Sequence, residues 1–360
     1  MIENTPLHAA HLAAQAKMVA FHGWNMPLHY GSQIKEHEAV RTHAGMFDVS
    51  HMTVVDILGA GGRQFLRRLL TNDIDKLKHV GRALYSCLCN EHGGILDDLI
   101  VYQRAPDNYR LILNAATRAH VLPWIHEKSA GFAVGIQERH ELAMLAVQGP
   151  EAIQKISNVL TPPQVDAIST LAPFECVDVD AWFFARTGYT GEDGLEIVLP
   201  EDAITPFWHQ LLNTGIIPCG LAARDTLRLE AGLLLYGQDM DENTTPLNSG
   251  LGWTIAWEPQ ARDFIGMTAL LSQKNDGVKQ KLVGLTLHGP GVMRTGQTVL
   301  LNNQPIGLIT SGSYSPTLKR SIALARVSKE VAQDAYVDIR GKHVPVIVGK
   351  PRFVKHGSPV

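Results

Sequence analysis

The stretch RALYSCLCNEHGGILDDLIVYQRAPDNYRLILN, residues 82–114, decides how the chain builds its sheets. Strand-like runs at 82–89, 95–103 and 109–114 are separated by NEHGG and RAPDN, which are rich in turn-forming residues. Parallel strands need a crossover of about a dozen residues or more, whereas antiparallel strands can be joined by a tight turn. The stretch therefore predicts an antiparallel meander rather than a doubly wound parallel sheet.

Two adjacent carboxylates, Asp97 and Asp98, stand in the middle of the central apolar run. Aspartate is depleted in strands, and a buried carboxylate costs free energy unless it has a partner. Alternation places the two acids on opposite faces of the strand, and both faces are apolar. Periodicity alone therefore does not choose which of the two has a chemical role.

Composition and termini narrow the class of protein. The chain has 360 residues, enough for two or three domains, with 45% hydrophobic and 19% charged residues and a net charge of −3. This balance argues against broad binding to nucleic acid. No secretory signal and no membrane-length apolar run is visible, and the four cysteines include no CxxC pair, so we expect a cytoplasmic protein with reduced thiols and no membrane partner.

Motifs for metals and nucleotides are incomplete. His37-Glu38 resembles the start of a zinc-binding HExxH motif, but Arg41 stands where the second histidine belongs. Gly59-Ala60-Gly61 opens a dinucleotide fingerprint in which Gln64 replaces the final glycine. Neither a P-loop nor a GxSxG nucleophile turn is present. We therefore predict no metal.

RTGYTGEDGLE, residues 186–196, allows two interpretations. It can be a strand–turn–strand hairpin with solvated acids. Alternatively, its glycines permit close backbone approach, Tyr189 offers a flat ring, and one of Glu192, Asp193 and Glu196 binds the N–C(NH2)–N edge of a flat heterocycle. A carboxylate can accept two parallel hydrogen bonds from such an edge.

The segment ARDTLRLEAG, residues 223–232, is predicted to be helical. Asp225 and Arg228 are spaced to pair on its solvated surface, whereas Arg224 falls on another face and can point into a cavity. The polar run KNDGVKQK at 274–281 is predicted to be a linker, and the short strands and glycine turns beyond it predict a small β-barrel or sandwich.

Seven motifs in one order carry a family resemblance that runs from Thr5 to Lys350. The chain resembles the T-protein family of the glycine cleavage system, whose members are aminomethyltransferases. The motifs are GWNMPLHYG (23–31), GMFDVSHM (45–52), GGILDDLIVY (93–102), LAVQGP (145–150), RTGYTGEDGLE (186–196), GLAARDTLRLEAGLLLYGQDMDE (220–242) and ITSGSYSPTLKRSIALA (309–325).

The resemblance implies an α+β fold: a three-domain cloverleaf with antiparallel sheets, folate in its centre and a C-terminal β-barrel. The implied discontinuous, folate-binding first domain comprises 1–51 and 138–273. An inserted α+β domain at 52–137 carries the catalytic aspartate, and 282–360 forms the barrel.

The resemblance also implies the reaction. The aminomethyl group arrives on the lipoyl arm of a partner, the lipoylated H-protein, and tetrahydrofolate is the co-substrate that accepts the carbon. The products are 5,10-methylenetetrahydrofolate, ammonia and dihydrolipoyl H-protein, and no metal takes part.

Residue roles follow from the matching motif positions. Asp98 corresponds to the catalytic carboxylate beside folate N5, and we expect Asp97 instead to satisfy backbone groups or a basic side chain. In some relatives a C-terminal tyrosine approaches folate, but the tail FVKHGSPV has none. The implied folate-binding residues are Glu196, Arg224, Tyr189, Tyr85, Asn114, Met52 and Trp253.

Two alternatives share this fold. One is a folate-binding accessory protein of the iron–sulfur maturation type, but those proteins carry a cysteine where this chain has Leu235 before Tyr236. The other is the folate-dependent domain of a dimethylglycine or sarcosine dehydrogenase. That domain is fused to a flavin domain, and this chain shows no flavin-binding fingerprint.

Overall fold

Helices and strands are mixed along the chain, and the computed structural model describes residues 2–331 and 334–360. As far as Glu138 the elements are β1 (Glu3–Asn4), α1 (His8–Ala13), β2 (Lys17–Phe21), β3 (Trp24–His29), α2 (Gln33–Thr42), β4 (Gly45–Asp48), β5 (Thr53–Leu58), α3 (Gly62–Leu69), a 3-10 turn (Ile74–Lys76), β6 (Ala83–Cys89), β7 (Ile95–Ala105), β8 (Asn108–Leu113), α4 (Arg118–Lys128) and β9 (Gly135–Glu138).

The next part of the chain, as far as Asp276, is richer in helices. Its elements are β10 (Leu142–Gln148), α5 (Ala152–Ser157), α6 (Pro162–Ser169), β11 (Cys176–Val179), β12 (Trp182–Ala185), β13 (Gly194–Pro200), α7 (Glu201–Asn213), β14 (Ile217–Pro218), α8 (Leu221–Ala231), a 3-10 turn (Gly252–Thr254) and α9 (Met267–Asp276).

The remainder is built of strands. They are β15 (Gln280–Leu287), β16 (Thr298–Leu301), β17 (Gln304–Ser315), β18 (Arg320–Ser328), β19 (Asp334–Ile339), β20 (Lys342–Gly349), β21 (Val354–Lys355) and β22 (Ser358–Pro359).

The meander predicted from 82–114 is confirmed. Strands β6, β7 and β8 are neighbours in a five-stranded sheet of order β6-β7-β8-β5-β9, and their bounds differ from the predicted runs by at most two residues. β8 pairs antiparallel with both β7 and β5. The three strands are mostly apolar, apart from the acids of β7 and its polar end, and each turn contains residues suited to chain reversal, so local sequence predicts this element.

A six-stranded sheet of order β11-β12-β13-β10-β4-β14 carries the glycine-rich motif. Its antiparallel register sets Glu196 of β13 opposite Ala146 of β10 and Ala185 of β12. The apolar residues around it form a buried cluster that includes the fully buried Trp208 of α7. Glu196 is therefore a carboxylate in a strand whose other residues are almost all buried and apolar.

The C-terminal β-barrel is confirmed: β15-β18-β17-β16-β19-β20 close into a barrel with a buried aliphatic interior. The linker prediction at 274–281 is wrong in extent. Helix α9 continues through Asp276, and β15 begins at Gln280, so 277–279 connect them. The helix ends where Gly277 adopts a φ of +84°, and its exposed final turn needs polar residues just as a linker does. Composition alone therefore does not distinguish the polar end of a helix from a linker.

Contacts divide the chain into two compact units. One comprises Met1–Leu66, Ile74–Tyr85 and Leu99–Asp225; the other comprises Arg67–Asp73, Ser86–Asp98 and Thr226–Val360. The division of the chain into domains at 1–51 with 138–273, 52–137 and 282–360 stays a prediction. Across the described residues, no helix has both the length and the apolar content that a bilayer crossing requires.

Candidate active site

The buried side chain of Gln148, at the end of β10, binds the glycine-rich loop between β12 and β13. The Gln148 amide nitrogen donates to the Thr187 carbonyl at 3.1 Å, and its oxygen accepts from the Thr190 hydroxyl at 2.8 Å. A Cβ on Gly188 would clash with the Gln148 side chain, and one on Gly194 would clash with the Val147 carbonyl. The glycines therefore let the loop lie directly against β10, as the pocket interpretation required.

The two acids of this loop, Glu192 and Asp193, are bound to arginines. Arg41 Nη1 donates to a carboxylate oxygen of Glu192 at 2.7 Å, and both side chains are almost completely buried. Arg186 binds Asp193 in a bidentate pair at 2.9 and 2.5 Å. The hairpin forms, because β12 and β13 pair antiparallel, and Asp193 is its partly solvated acid. Glu192 and Glu196 are buried instead, and Glu196 is the one without an arginine ion pair among the described contacts.

Glu196 is buried in β13, with 6% of its surface exposed. Its Oε2 accepts a 2.6 Å hydrogen bond from the Thr187 hydroxyl, which also lies 3.0 Å from the Tyr102 hydroxyl. Burial raises the pKa of the Glu196 carboxyl, and the Thr187 hydrogen bond and the Arg224 charge offset this only in part. A ligand that donates hydrogen bonds to a buried carboxylate of this kind stabilises it.

Arg224, in the first turn of α8, lies over the ring of Tyr189, with its guanidinium carbon 4.7 Å from the ring centroid. Burial lowers the pKa of Arg224, against the charges of Glu196 and Tyr189, which raise it. Its Nη1 is buried without a hydrogen-bond partner among the described residues. Because an unsatisfied buried donor is costly, this atom is suited to a ligand acceptor such as a ring carbonyl.

His51 lies close enough to Arg224 for the guanidinium charge to affect its pKa, and no sequence motif assigned it a role. It is 6% exposed, and its Nδ1 is buried with no partner within the described chain. Burial, followed by the Arg224 charge, lowers the pKa of His51 to about 4, so the imidazole is neutral at neutral pH. The available signal was its place in GMFDVSHM, directly before Met52.

Asp97 and Asp98 have different environments in β7. Asp97 is fully buried, and one of its carboxylate oxygens accepts a 3.0 Å hydrogen bond from the Asp98 backbone N–H. This confirms the expectation that the Asp97 carboxylate accepts a hydrogen bond from a backbone group. Asp98 is only partly buried, as is Ile100 on the same face. Asp98 is therefore the more exposed of the two acids.

The remaining predicted folate-binding residues lie in both units. Met52, Tyr85 and Asn114 are half-buried members of the unit that also holds Glu196, Arg224 and Tyr189. Trp253 belongs to the other unit, as does Asp98, and is 64% exposed. The structure thus groups Glu196, Arg224 and Tyr189 by direct interaction, while the roles of all these residues stay predictions.

One expectation for α8 is wrong. Arg228 does not lie on a solvated helix surface, because it is 1% exposed and its Nη1 donates to Asp239 at 2.7 Å. Its Nη2 donates to Ser311 of β17 at 2.9 Å. A three-residue spacing finds neighbours on a helix, but it does not report which face the rest of the fold covers.

Comparison with known proteins decides the family. Residues 7–259 match the family described as the GCVT N-terminal domain, and residues 280–355 match the glycine cleavage T-protein C-terminal barrel domain. The chain belongs to the glycine cleavage T-protein family.

Individual relatives of this T-protein family member agree over its whole length. An aminomethyltransferase of Legionella pneumophila (strain Corby) is 69% identical over 360 residues, covering all of both chains. One from Pseudomonas syringae pv. tomato is 54% identical over 358 residues and covers 99% of both. The crystal structure of glycine cleavage system aminomethyltransferase T from Bartonella henselae has a TM-score of 0.92 at 33% identity, covering 99% of each chain. The chain is accordingly an enzyme of the aminomethyltransferase class.

Proposed function

We propose that this enzyme transfers a methylene carbon from the aminomethyl-lipoyl arm of H-protein to tetrahydrofolate in the cytoplasm. N5 and N10 of the folate each form a bond to the carbon, and the C–N and C–S bonds of the thioaminal break. The protons released from N5 and N10 go to the departing amine and thiolate. The products are 5,10-methylenetetrahydrofolate, ammonia and dihydrolipoyl H-protein.

The observation that supports folate as the acceptor is the grouping of Glu196, Arg224 and Tyr189. A pterin is a flat ring with an N–C(NH2)–N donor edge and a carbonyl acceptor, which suit a buried carboxylate and the unsatisfied Arg224 Nη1. Tyr189 supplies an aromatic face beside the guanidinium. Met52, Tyr85, Asn114 and Trp253 are proposed to complete the folate contacts.

Asp98 is proposed as the catalytic carboxylate. Attack by folate N5 places positive charge on that nitrogen, and an ionised carboxylate stabilises the charge and accepts the N5 proton. Asp98 is suited to this because it is only partly buried, whereas Asp97 is fully buried and bonded to backbone.

The test is to mix the purified enzyme with aminomethyl-loaded H-protein and tetrahydrofolate. Ammonia and 5,10-methylenetetrahydrofolate should appear in equal amounts, and omission of either substrate should abolish methylenetetrahydrofolate. Loaded free lipoamide serves as a comparison for the role of H-protein. If the complete mixture forms no methylenetetrahydrofolate, the proposed function is incorrect.

A further inference from the structure

The hydroxyl of Tyr236 donates a hydrogen bond to the carbonyl oxygen of Ile95 at 3.1 Å. Ile95 is the first residue of β7, the strand that carries Asp97 and Asp98. We infer that Tyr236 is a positioning residue for Asp98, holding the start of β7 so that the carboxylate keeps its place. The inference rests on the proposed function, because it takes Asp98 to be the catalytic acid.

Backbone carbonyls of the segment 236–244 also bind the beginning of β7. The Ile95 N–H donates to the Asp241 and Thr244 carbonyls at 3.2 and 2.9 Å. The Asn90 side chain donates to the Glu242 carbonyl at 3.4 Å and accepts from the Gly94 N–H at 2.9 Å. With Tyr236 on the Ile95 carbonyl, both backbone groups of Ile95 are held by this one segment.

Tyr236 is itself anchored within the same compact unit. The backbone N–H of Leu235, the residue before Tyr236, donates a 2.9 Å hydrogen bond to the Asp239 carboxylate. The Asp239 carboxylate also accepts from Arg228 at 2.7 Å and from Ser311 of β17 at 2.9 Å. The fully buried Asp239 carboxylate therefore connects the backbone beside Tyr236 to α8 and to barrel strand β17. A hydroxyl on so constrained a turn can determine the position of the strand that it binds.

The protonation of Tyr236 suits a positioning role rather than a catalytic one. Burial raises the pKa of Tyr236, and the charges of Asp97, Glu242, Asp241 and Asp98 raise it further, so the hydroxyl keeps its proton. A phenol can donate a single hydrogen bond, and here the Ile95 carbonyl oxygen accepts it.

The test compares Tyr236→Phe with a matched control, Tyr109→Phe. The Tyr109 hydroxyl also donates to a backbone carbonyl, that of Pro106, at 3.2 Å. We expect Tyr236→Phe to lower kcat at least about tenfold, since small displacements of catalytic groups are costly, while KM for tetrahydrofolate stays within about twofold. Tyr109→Phe should leave kcat unchanged. Equal kcat in the two variants, or a loss confined to KM, would overturn the inference.

A double variant separates action through Asp98 from a general structural effect. If Tyr236 acts by placing Asp98, adding Tyr236→Phe to Asp98→Asn should lower kcat by less than about twofold further, because residues that act as a unit are not additive. Losses that multiply in full would refute the inference. Failure of the wild-type enzyme to form methylenetetrahydrofolate contradicts the proposed function instead, so the two failures are distinguishable.

Discussion

At the scale of single residues, the adjacent acids of β7 should differ in what their loss does. Asp98→Asn keeps size and hydrogen bonding but removes the charge, so we expect turnover at saturating substrates to fall at least about 10²-fold with little change in folate affinity. Asp97→Asn should instead lower the unfolding midpoint, because the fully buried Asp97 binds the backbone N–H of Asp98. Near-normal turnover in folded Asp98→Asn, with loss in Asp97→Asn, would reverse the assignment.

Also at this scale, the glycine-rich motif at 186–196 contains a matched pair of glutamates, Glu192 in the loop and Glu196 in β13. Glu196→Gln should weaken tetrahydrofolate binding about 10- to 150-fold, because a charge-assisted hydrogen bond contributes about 1.5–3 kcal/mol. Glu192→Gln is the control: its carboxylate binds Arg41, so its loss should affect stability more than affinity. Titration calorimetry on folded variants measures both affinities, and equal affinities for wild type and Glu196→Gln would exclude Glu196 from the pterin contact.

At the scale of elements, the turn before β7 depends on a glycine. A Cβ on Gly94 would clash with the backbone carbonyl of Glu242, in the segment that also binds Ile95. Gly94→Ala should therefore cost about 1–3 kcal/mol or more in the free energy of unfolding, as overpacking does, and should reduce turnover by displacing the start of β7.

Gly349→Ala, at the end of β20, is the control for this substitution because a Cβ added there would meet no atom within 4 Å beyond its immediate chain neighbours. We expect its unfolding free energy to stay within about 0.5 kcal/mol of wild type. Chemical denaturation of both variants gives the comparison, and equal stabilities would show that the turn and the segment at 236–244 separate without cost.

At the scale of the whole molecule, His51 should make stability depend on pH. Its pKa is lowered from 6.5 to about 4, so the unfolded chain binds a proton between these values that the folded chain does not. The His51 contribution is complete above pH 6.5 and is lost as the pH falls towards 4, with a slope of up to about 1.4 kcal/mol per pH unit. Below pH 4 it changes no further.

Urea unfolding at several pH values between 7 and 4.5 measures this slope. His51→Gln should flatten it, whereas His92→Gln, in the exposed turn before β7, controls for loss of an imidazole. Burial raises the pKa of Asp48, but the hydrogen bond and charge of His11, with the hydrogen bonds of Thr5 and the Ser50 N–H, outweigh it and lower the pKa from 3.8. The stability that Asp48 contributes is therefore lost only as the pH falls below 3.8. An unchanged slope in His51→Gln would contradict the neutral, buried imidazole.

Local sequence determined the elements of this protein. Turn residues and apolar runs at 82–114 were sufficient for the meander, because strand period and turn conformation depend on neighbours in the chain. Beyond residue 280 they predicted short strands in a barrel or sandwich, and the family resemblance chose the barrel that forms. The motif order was sufficient for the family, which the match to residues 7–259 and 280–355 confirms.

Tertiary structure decided what the individual polar groups of those elements do. Asp97 and Asp98 are equivalent by periodicity, and burial distinguishes them. Arg41 reaches Glu192 across 151 residues of chain, and Arg228 is covered through contacts with Asp239 and Ser311 rather than exposed beside Asp225. The physical reason is that burial and charge pairing depend on residues distant in sequence, whereas alternation is a property of adjacent ones.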